Sequence, residues 1–403
     1  MTTFDPYSET FFEDPWETYR WMRDDAPVFH HAELGFYAVS RYEDCVEVHR
    51  DHRTFTSTMG VTLDQLRSVE FGQAVEAVGS MIMTDPPDHE RLRKLVNRAF
   101  TPRRIAAWEP VVERVVGGFL DALDGAGSFD VVGDFSGPFP VEVISEILGI
   151  PTADRQQVRH WTDKMLEREV GNPFPPDAGI EATILLFGYL QDLVAERRAR
   201  PQDHMIDHLI AAEMVHDDGT LERLDDVAVS RFVGLLAAAG AETVTKLVGN
   251  GVMTFAEHPD ELARLQADPS LVGPAVDEVL RWRAPSQYQG RYCRADWARH
   301  GVTVPAGSPM LIVTGAANRD PRAYDEPDRF DIGRFAPGRT ASMGIAFGHG
   351  IHYCIGSHLA RLEGATAFRE LYRRWPDLAV DLDAIRYVHM SNVAGPSSVP
   401  VAA

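Results

Sequence analysis

Cysteine is scarce in this 403-residue chain. Its three cysteines, Cys45, Cys293 and Cys354, are odd in number and widely separated, which argues against a disulfide framework and for a reducing cytoplasm. Positive charge is short as well: 39 Lys and Arg face 60 Asp and Glu, a formal net charge of −21. Nucleic acid is therefore not an expected partner, because phosphate binding rests on a cationic surplus. The opening residues Met1-Thr2-Thr3-Phe4-Asp5-Pro6 lack the basic and apolar regions of a signal peptide, and no membrane anchor is expected. Long apolar runs are missing too: the uncharged stretch from Phe232 to Ala241 has about half of the roughly 20 residues that cross a bilayer. A soluble cytoplasmic protein is the expectation. Linkers, repeats and low-complexity tracts are also absent from the sequence, so residues 1–403 read as a single domain.

What is present is concentrated in Phe347-Gly348-His349-Gly350-Ile351-His352-Tyr353-Cys354-Ile355-Gly356. Leu359, Leu362, Phe368, Leu371 and Trp375 then repeat at helical spacing before Pro376, so a helix is expected from about Ser357 to Trp375. Cys354 falls at its positive end, where free N–H groups and the macrodipole favour a thiolate, the form that binds metal or attacks as a nucleophile. Gly350 and Gly356 would let the backbone take unusual angles and approach a flat ligand closely. Two other readings compete. Cys354 could be a small buried hydrophobe, or it could join His349, His352 and His358 as a zinc set, although local zinc clusters usually bring more than one sulfur.

The architecture expected is mainly α with a smaller β part. A helix from Asp14-Pro15-Trp16 to about Arg23 is followed by β-like runs at Val28–His31 and Gly35–Ser40. Pro86 to His258 reads as almost wholly helical, punctuated by Pro102, Pro138, Pro151, Pro201 and Pro259. Strand-like runs return at Thr303–Pro305 and Pro309–Thr314, with an irregular sheet near the C-terminus. A small β-rich lobe near 25–60 and 285–315 beside a large helical lobe is the resulting picture.

Three further groups stand out. Asp226 to His258 reads as one helix of roughly 50 Å, and Ala239-Gly240-Ala241-Glu242-Thr243 in its middle sets a glycine and a Glu-Thr pair into an apolar face. A mid-helix glycine costs about 1 kcal/mol relative to alanine, so it calls for compensation; close packing is the plain alternative. Glu278 and Arg281 make an i, i+3 pair, weak as a signal by itself. Asp85-Pro86-Pro87-Asp88-His89 starts a helix with an Asp cap and early prolines, and sets His89 and Arg93 one turn apart; a solvated helix would look the same.

Taken together, Phe347, Gly350, His352, Cys354 and Gly356 spell a Phe-x-x-Gly-x-His-x-Cys-x-Gly motif that resembles the haem-binding loop of the cytochrome P450 family. The other three segments follow in the family's order, and the resemblance covers roughly residues 10 to 400. It implies the cytochrome P450 fold, with haem b (iron protoporphyrin IX) between the long helix and the cysteine loop, and Cys354 as the iron ligand. His89, Arg93, Arg291 and His352 would hold the propionates, with Phe347, Gly348 and Gly240 also against the cofactor. Thr243 would hydrogen-bond dioxygen and Glu242 would relay protons; Val244 stands where many members carry a second hydroxyl. Glu278 and Arg281, with Arg334 preferred over Arg329, would support the cysteine loop.

The implied activity is insertion of one oxygen atom from O2 into a lipophilic small molecule by a soluble monomer. Electrons would come from a separate ferredoxin and its reductase, docking near Arg98, Arg103, Arg104 and Arg361. Substrate contacts by resemblance would be Leu236, Ala237, Gln287, Tyr288 and Val393, within the segments Thr58–Met83, Thr162–Tyr189 and Ser286–Gln289 and the turn at Asn392. The alternatives are a haem-thiolate protein that binds without turnover, and a peroxide-driven relative that needs no ferredoxin; retention of Glu242 and Thr243 favours dioxygen.

Overall fold

The computed structural model describes residues 3–67, 80–97, 100–172, 174–215 and 220–403. Part of the Thr58–Met83 segment, and Arg98, lie outside them.

One helix organises the rest. It runs Asp226–Glu257, 32 residues, opened by Asp225, whose side chain accepts from the Ala228 N–H at 2.7 Å, and stopped before Pro259. From Ala241 to Phe255 nearly every side chain is buried, Thr243 excepted, so this half passes through the core. It packs along the helix Ser357–Arg374 that follows the cysteine loop. A Cβ on Gly364 would sit 3.0 Å from Leu247, and one on Gly251 would strike the Phe368 ring. The two contacts are spaced by four residues on each helix, so the helices run side by side in the same direction, and glycine sets how closely they approach. The helices Pro138–Leu148, Arg155–Leu166 and Asp177–Ala199 cover the long helix from other sides.

By length and composition, Asp177–Ala199 and Asp226–Glu257 could each cross a membrane, contrary to the sequence expectation that no segment is long enough. The reason is that apolar windows were broken by scattered polar residues in the sequence. For Asp226–Glu257 those windows are filled by core: the helix is the spine of the large lobe, and 56% of its most apolar window is buried.

The small lobe is a five-stranded sheet of β1 (Val28–His31), β2 (Phe36–Val39), β3 (Phe55–Thr56), β4 (Gln289–Cys293) and β5 (Pro309–Ile312), in the order β1-β2-β5-β4-β3. β5 pairs parallel with β2, Leu311 facing Ala38, and antiparallel with β4, Met310 facing Arg291. Arg291 is thus fixed in the middle of a sheet. The helix Tyr42–Arg50 leaves β2 and lies under the cysteine loop. Two β pieces interrupt the stretch expected to be almost wholly helical. Ser128–Asp130 pairs with Pro400–Ala402, which pairs with Ala379–Val380, and Glu213–Val215 pairs with Leu221–Arg223. Strands of two or three residues carry too little periodicity to be read, and the first pairing joins the two ends of the large lobe.

Candidate active site

The cysteine loop closes on itself. The Cys354 N–H donates to the Phe347 carbonyl at 2.9 Å, and Tyr353 N–H to Gly350 at 3.1 Å. Gly348 and Gly350 have φ of +69° and +71°, in the left-handed region that glycine alone enters freely. At Gly350 a side chain is doubly barred, since its Cβ would lie 2.6 Å from the backbone oxygen of His49. Gly356 differs from expectation: its φ of −82° is ordinary, and a Cβ there would meet only the Cys354 sulfur, at 3.9 Å. Its small size keeps the space beside the sulfur open.

Burial raises the Cys354 pKa, and the Gly356 and Ser357 N–H groups with Arg93 and Arg361 pull it down without prevailing. The N–H groups of the helix end act in the expected direction, toward thiolate, and desolvation opposes them. A coordinated metal cation would reverse the balance, since a thiol that binds metal is deprotonated outright. Zinc does not suit the loop. Among the described residues no three His, Cys, Asp or Glu side chains converge as a metal set, and His349 instead accepts from the Gly350 N–H and meets Arg50.

Beside the sulfur lies a pocket of cations and imidazoles with little to answer them. The helix Asp88–Asn97 brings His89 and Arg93, and Arg93 Nη2 donates to the Tyr353 carbonyl at 2.6 Å, tying this helix directly to the loop. The rings of His89 and His352 stand 4.4 Å apart, edge to face. Arg291 is buried and, among the described residues, donates only to its neighbour Gly290; burial lowers its pKa to about 10, with Asp85 opposing. His352, held by Ser57 Oγ at 3.1 Å, is pushed down to about 2 by burial and then by Arg291, His89, Arg93 and His49. Both ring nitrogens of His89 have no partner among the described residues. Buried donors in this state fit an anion with more than one carboxylate. Asp85 is not the side-chain helix cap expected: it accepts from Thr56 Oγ1 at 2.5 Å and pairs with Arg294 at 3.1 Å, anchoring β3.

Sequence reasoning missed His49, which is 2% exposed, has no partner for either ring nitrogen among the described residues, and lies close enough to His352 to lower its pKa. A histidine beside Cys45 and Val48 on the apolar face of its helix was the available signal.

The Glu278 group, by contrast, is fully satisfied. Glu278, with no exposed surface, accepts from Arg281 at 2.7 and 2.8 Å, from Arg334 Nε at 3.2 Å and from the Asp331 N–H at 3.0 Å. Arg281 and Arg334 spend their remaining N–H groups on the carbonyls of Asn318, Pro327, Arg329, Asp325 and Glu326. Arg329 turns outward to Glu326.

On the long helix Thr243 Oγ1 donates to the Ala239 carbonyl at 2.8 Å, and Ala239 is exposed. The contacts Leu247–Gly364 and Gly251–Phe368, continued back two turns, bring Ala239 and Thr243 opposite Gly356 and Ala360, where side chains cease to be covered. Ala239 is thus left exposed at this end of the helix pair, and it was not assigned a role from sequence. Gly240 points elsewhere: its Cβ would lie 3.1 Å from Ile144, so the glycine admits the Pro138–Leu148 helix, a correction to its assignment against the cofactor. Glu242 is buried, paired with Lys246 Nζ at 2.8 Å.

The five expected substrate contacts are all covered. Gln287 accepts from Tyr19 Oη at 2.8 Å and donates to the Ala284 carbonyl at 2.6 Å, and Tyr288 Oη receives the Leu63 N–H, so their polar groups serve the framework. Leu236, Ala237 and Val393 are at most 6% exposed and packed.

A thiol that a bound cation would hold as thiolate, next to buried donors that an anionic ligand would satisfy, fits a site of the haem-thiolate class. Known proteins agree with that assignment. The sequence model described as Cytochrome P450 matches residues 177–375. The chain is 40% identical to cytochrome P450 123 of Mycobacterium tuberculosis over 397 residues, covering 98% of this chain and 96% of that one. It is 37% identical to the vitamin D(3) 25-hydroxylase of Pseudonocardia autotrophica over 402 residues, with 98% and 96% covered. The structure of the cytochrome P450 PksS of Bacillus subtilis 168 superposes with a TM-score of 0.86 at 32% identity over 99% of both chains. The chain belongs to the cytochrome P450 family, as a monooxygenase of the bacterial type.

Proposed function

We propose that this protein holds iron protoporphyrin IX and hydroxylates, or similarly oxidises, a medium to large lipophilic small molecule, with electrons from a ferredoxin and its reductase. The observation that carries this reading is the cluster beside Cys354 of Arg93 and Arg291, which face no carboxylate within ion-pair distance among the described residues, with the imidazoles of His352 and of His89, whose ring nitrogens have no partner there. When bound, the haem supplies dioxygen activation, with the thiolate donating electron density that favours O–O cleavage.

The chain's own residues do the remainder. Arg93 and Arg291 neutralise the propionates while His89 and His352 add hydrogen bonds. Phe347 and Gly348 shape the loop around the sulfur, and Glu278 with Arg281 and Arg334 fixes that loop from beneath. Thr243 must release its bond to Ala239 before its hydroxyl can donate into the opening, and Glu242 supplies it with protons. The family member named as a vitamin D(3) hydroxylase supports a bulky lipophilic substrate. A cytoplasmic monomer organised as one domain is the accompanying reading.

Exposed Arg103 and Arg104 are the docking candidates; Arg361 is engaged by Asp277 at 2.7 Å and lies 4.6 Å over the Phe347 ring. Arg104→Glu should weaken ferredoxin-supported turnover and spare peroxide-supported turnover, and equal loss of both refutes docking there. The whole reading is tested by the absorption spectrum after dithionite and carbon monoxide. A Soret band at the thiolate position, displaced in Cys354→His, is expected, and a colourless protein overturns the reading.

A further inference from the structure

The helix Tyr42–Arg50 ends against the cysteine loop, and His49 in its last turn makes the contact. Backbone and ring of this residue both meet loop glycines: a Cβ on Gly350 would lie 2.6 Å from the His49 carbonyl oxygen, and one on Gly348 would lie 3.6 Å from its ring carbon Cε1. The imidazole therefore lies against the turn that leads into His352. It is almost wholly buried, and neither ring nitrogen has a hydrogen-bond partner among the described residues. An apolar side chain would fill such a place without leaving two buried polar atoms unpaired, so the choice of histidine calls for an explanation.

Its surroundings supply half of what it lacks. Burial, then Arg291 and His349, lowers the His49 pKa, so the ring is neutral and Arg291 is the charge that bears on it most. A neutral imidazole has one nitrogen that accepts and one that donates, whereas a guanidinium only donates. Arg291 has N–H groups to spare, since its one bond among the described residues goes to the Gly290 carbonyl. The donating nitrogen of His49 still needs an acceptor. Asp85, the carboxylate that Arg291 feels, is taken by Thr56 and Arg294.

We propose that His49 is a further cofactor-binding residue that bridges Arg291 to a haem carboxylate, accepting from the guanidinium with one nitrogen and donating to the carboxylate with the other. This rests on the reading of Arg291 as a propionate-binding residue. The bridge gives both nitrogens of His49 a partner and holds the guanidinium toward the loop side of the pocket. Because the same residue also packs on Gly348 and Gly350, the acidic edge of the cofactor and the cysteine loop are positioned by one side chain and its own backbone. A residue placed there for packing alone would depend on its shape; a bridging residue depends on carrying one donor and one acceptor.

The test titrates hemin into the cofactor-free full-length protein and its variants His49→Leu and His49→Gln. Leucine keeps apolar volume and loses both bonds, whereas glutamine carries a donor and an acceptor on one side chain. His49→Leu should bind haem about 10- to 100-fold more weakly, the loss of one or two bonds to charged groups, and His49→Gln should regain most of that affinity. In the loaded protein the propionate-bending band of the resonance Raman spectrum should shift in His49→Leu and keep its wild-type position in His49→Gln. Since His49 and Arg291 share one carboxylate, the losses from His49→Leu and Arg291→Met should not add in the double variant. Wild-type affinity with an unshifted band in His49→Leu overturns the inference, and so do equal losses in the leucine and glutamine variants or losses that add. In each of those cases a weakened Arg291→Met leaves the parent reading standing. If Arg291→Met binds haem as the wild type does, the parent reading fails first.

Discussion

Two groups of buried charge in this protein are built on opposite principles. In the first, Glu278 and its two arginines satisfy one another and nearby carbonyls. Beside the loop, Arg291, His89 and His49 are equally buried, yet among the described residues the two histidines have no partners and the arginine has one neighbouring carbonyl. Burying a polar group without a hydrogen bond costs free energy, and burying a charge without a counter-charge costs more. The first group is thus complete as protein. The second becomes complete only with an anionic ligand, so the fold carries strain there that cofactor binding relieves.

That contrast can be broken by mutation, most severely on the satisfied side. Glu278→Gln leaves two buried guanidinium groups without their carboxylate and should destabilise the protein by about 3–5 kcal/mol, read as a collapse of the denaturation midpoint with or without haem. An unchanged midpoint would mean that the triad is not holding the loop. On the unsatisfied side the sign should invert. Arg291→Met should leave the cofactor-free protein as stable or more so, while weakening haem binding about 10- to 100-fold, the loss of one or two charge-assisted bonds. Parallel losses in both measurements would erase the distinction drawn between the two groups.

The smallest effect sharpens the comparison. His49→Leu removes two unpartnered nitrogens and should stabilise the cofactor-free protein by about 1 kcal/mol. It should also alter the acid response. Burial, then Arg291 and His349, depresses the His49 pKa well below 6.5. The unfolded chain therefore takes up a proton that the folded one refuses, and stability is lost as pH falls below about 6.5. Thermal melts between pH 7 and 5 should show a shallower decline in His49→Leu. An identical slope would place the acid sensitivity elsewhere.

The sequence made some of this legible for identifiable reasons. The long helix was bounded by a cap at Asp225 and by Pro259, both local signals, and its span was read to within a residue. The cysteine loop was legible because its glycines and aromatic residue are adjacent in the chain. Gln287 and Tyr288 looked free to meet a substrate because their partners are remote: Tyr19 is 268 residues from Gln287, and Leu63 is 225 from Tyr288. Gly240 was misplaced because the helix periodicity does not say which neighbour a glycine admits, and here it admits Ile144. Local chemistry was readable; the pairing of distant polar groups was not.

The bond from Arg93 to the Tyr353 carbonyl spans 260 residues of chain, and that from Ser57 to His352 spans 295. During synthesis, which proceeds from the N-terminus at about 5–20 residues each second, the histidines and arginines of the first hundred residues emerge long before the loop they serve. Over 350 residues must be made before the sulfur exists. The cofactor pocket is therefore a late product of translation, and loading belongs to the finished polypeptide, with the small lobe waiting in the meantime for its own last neighbours.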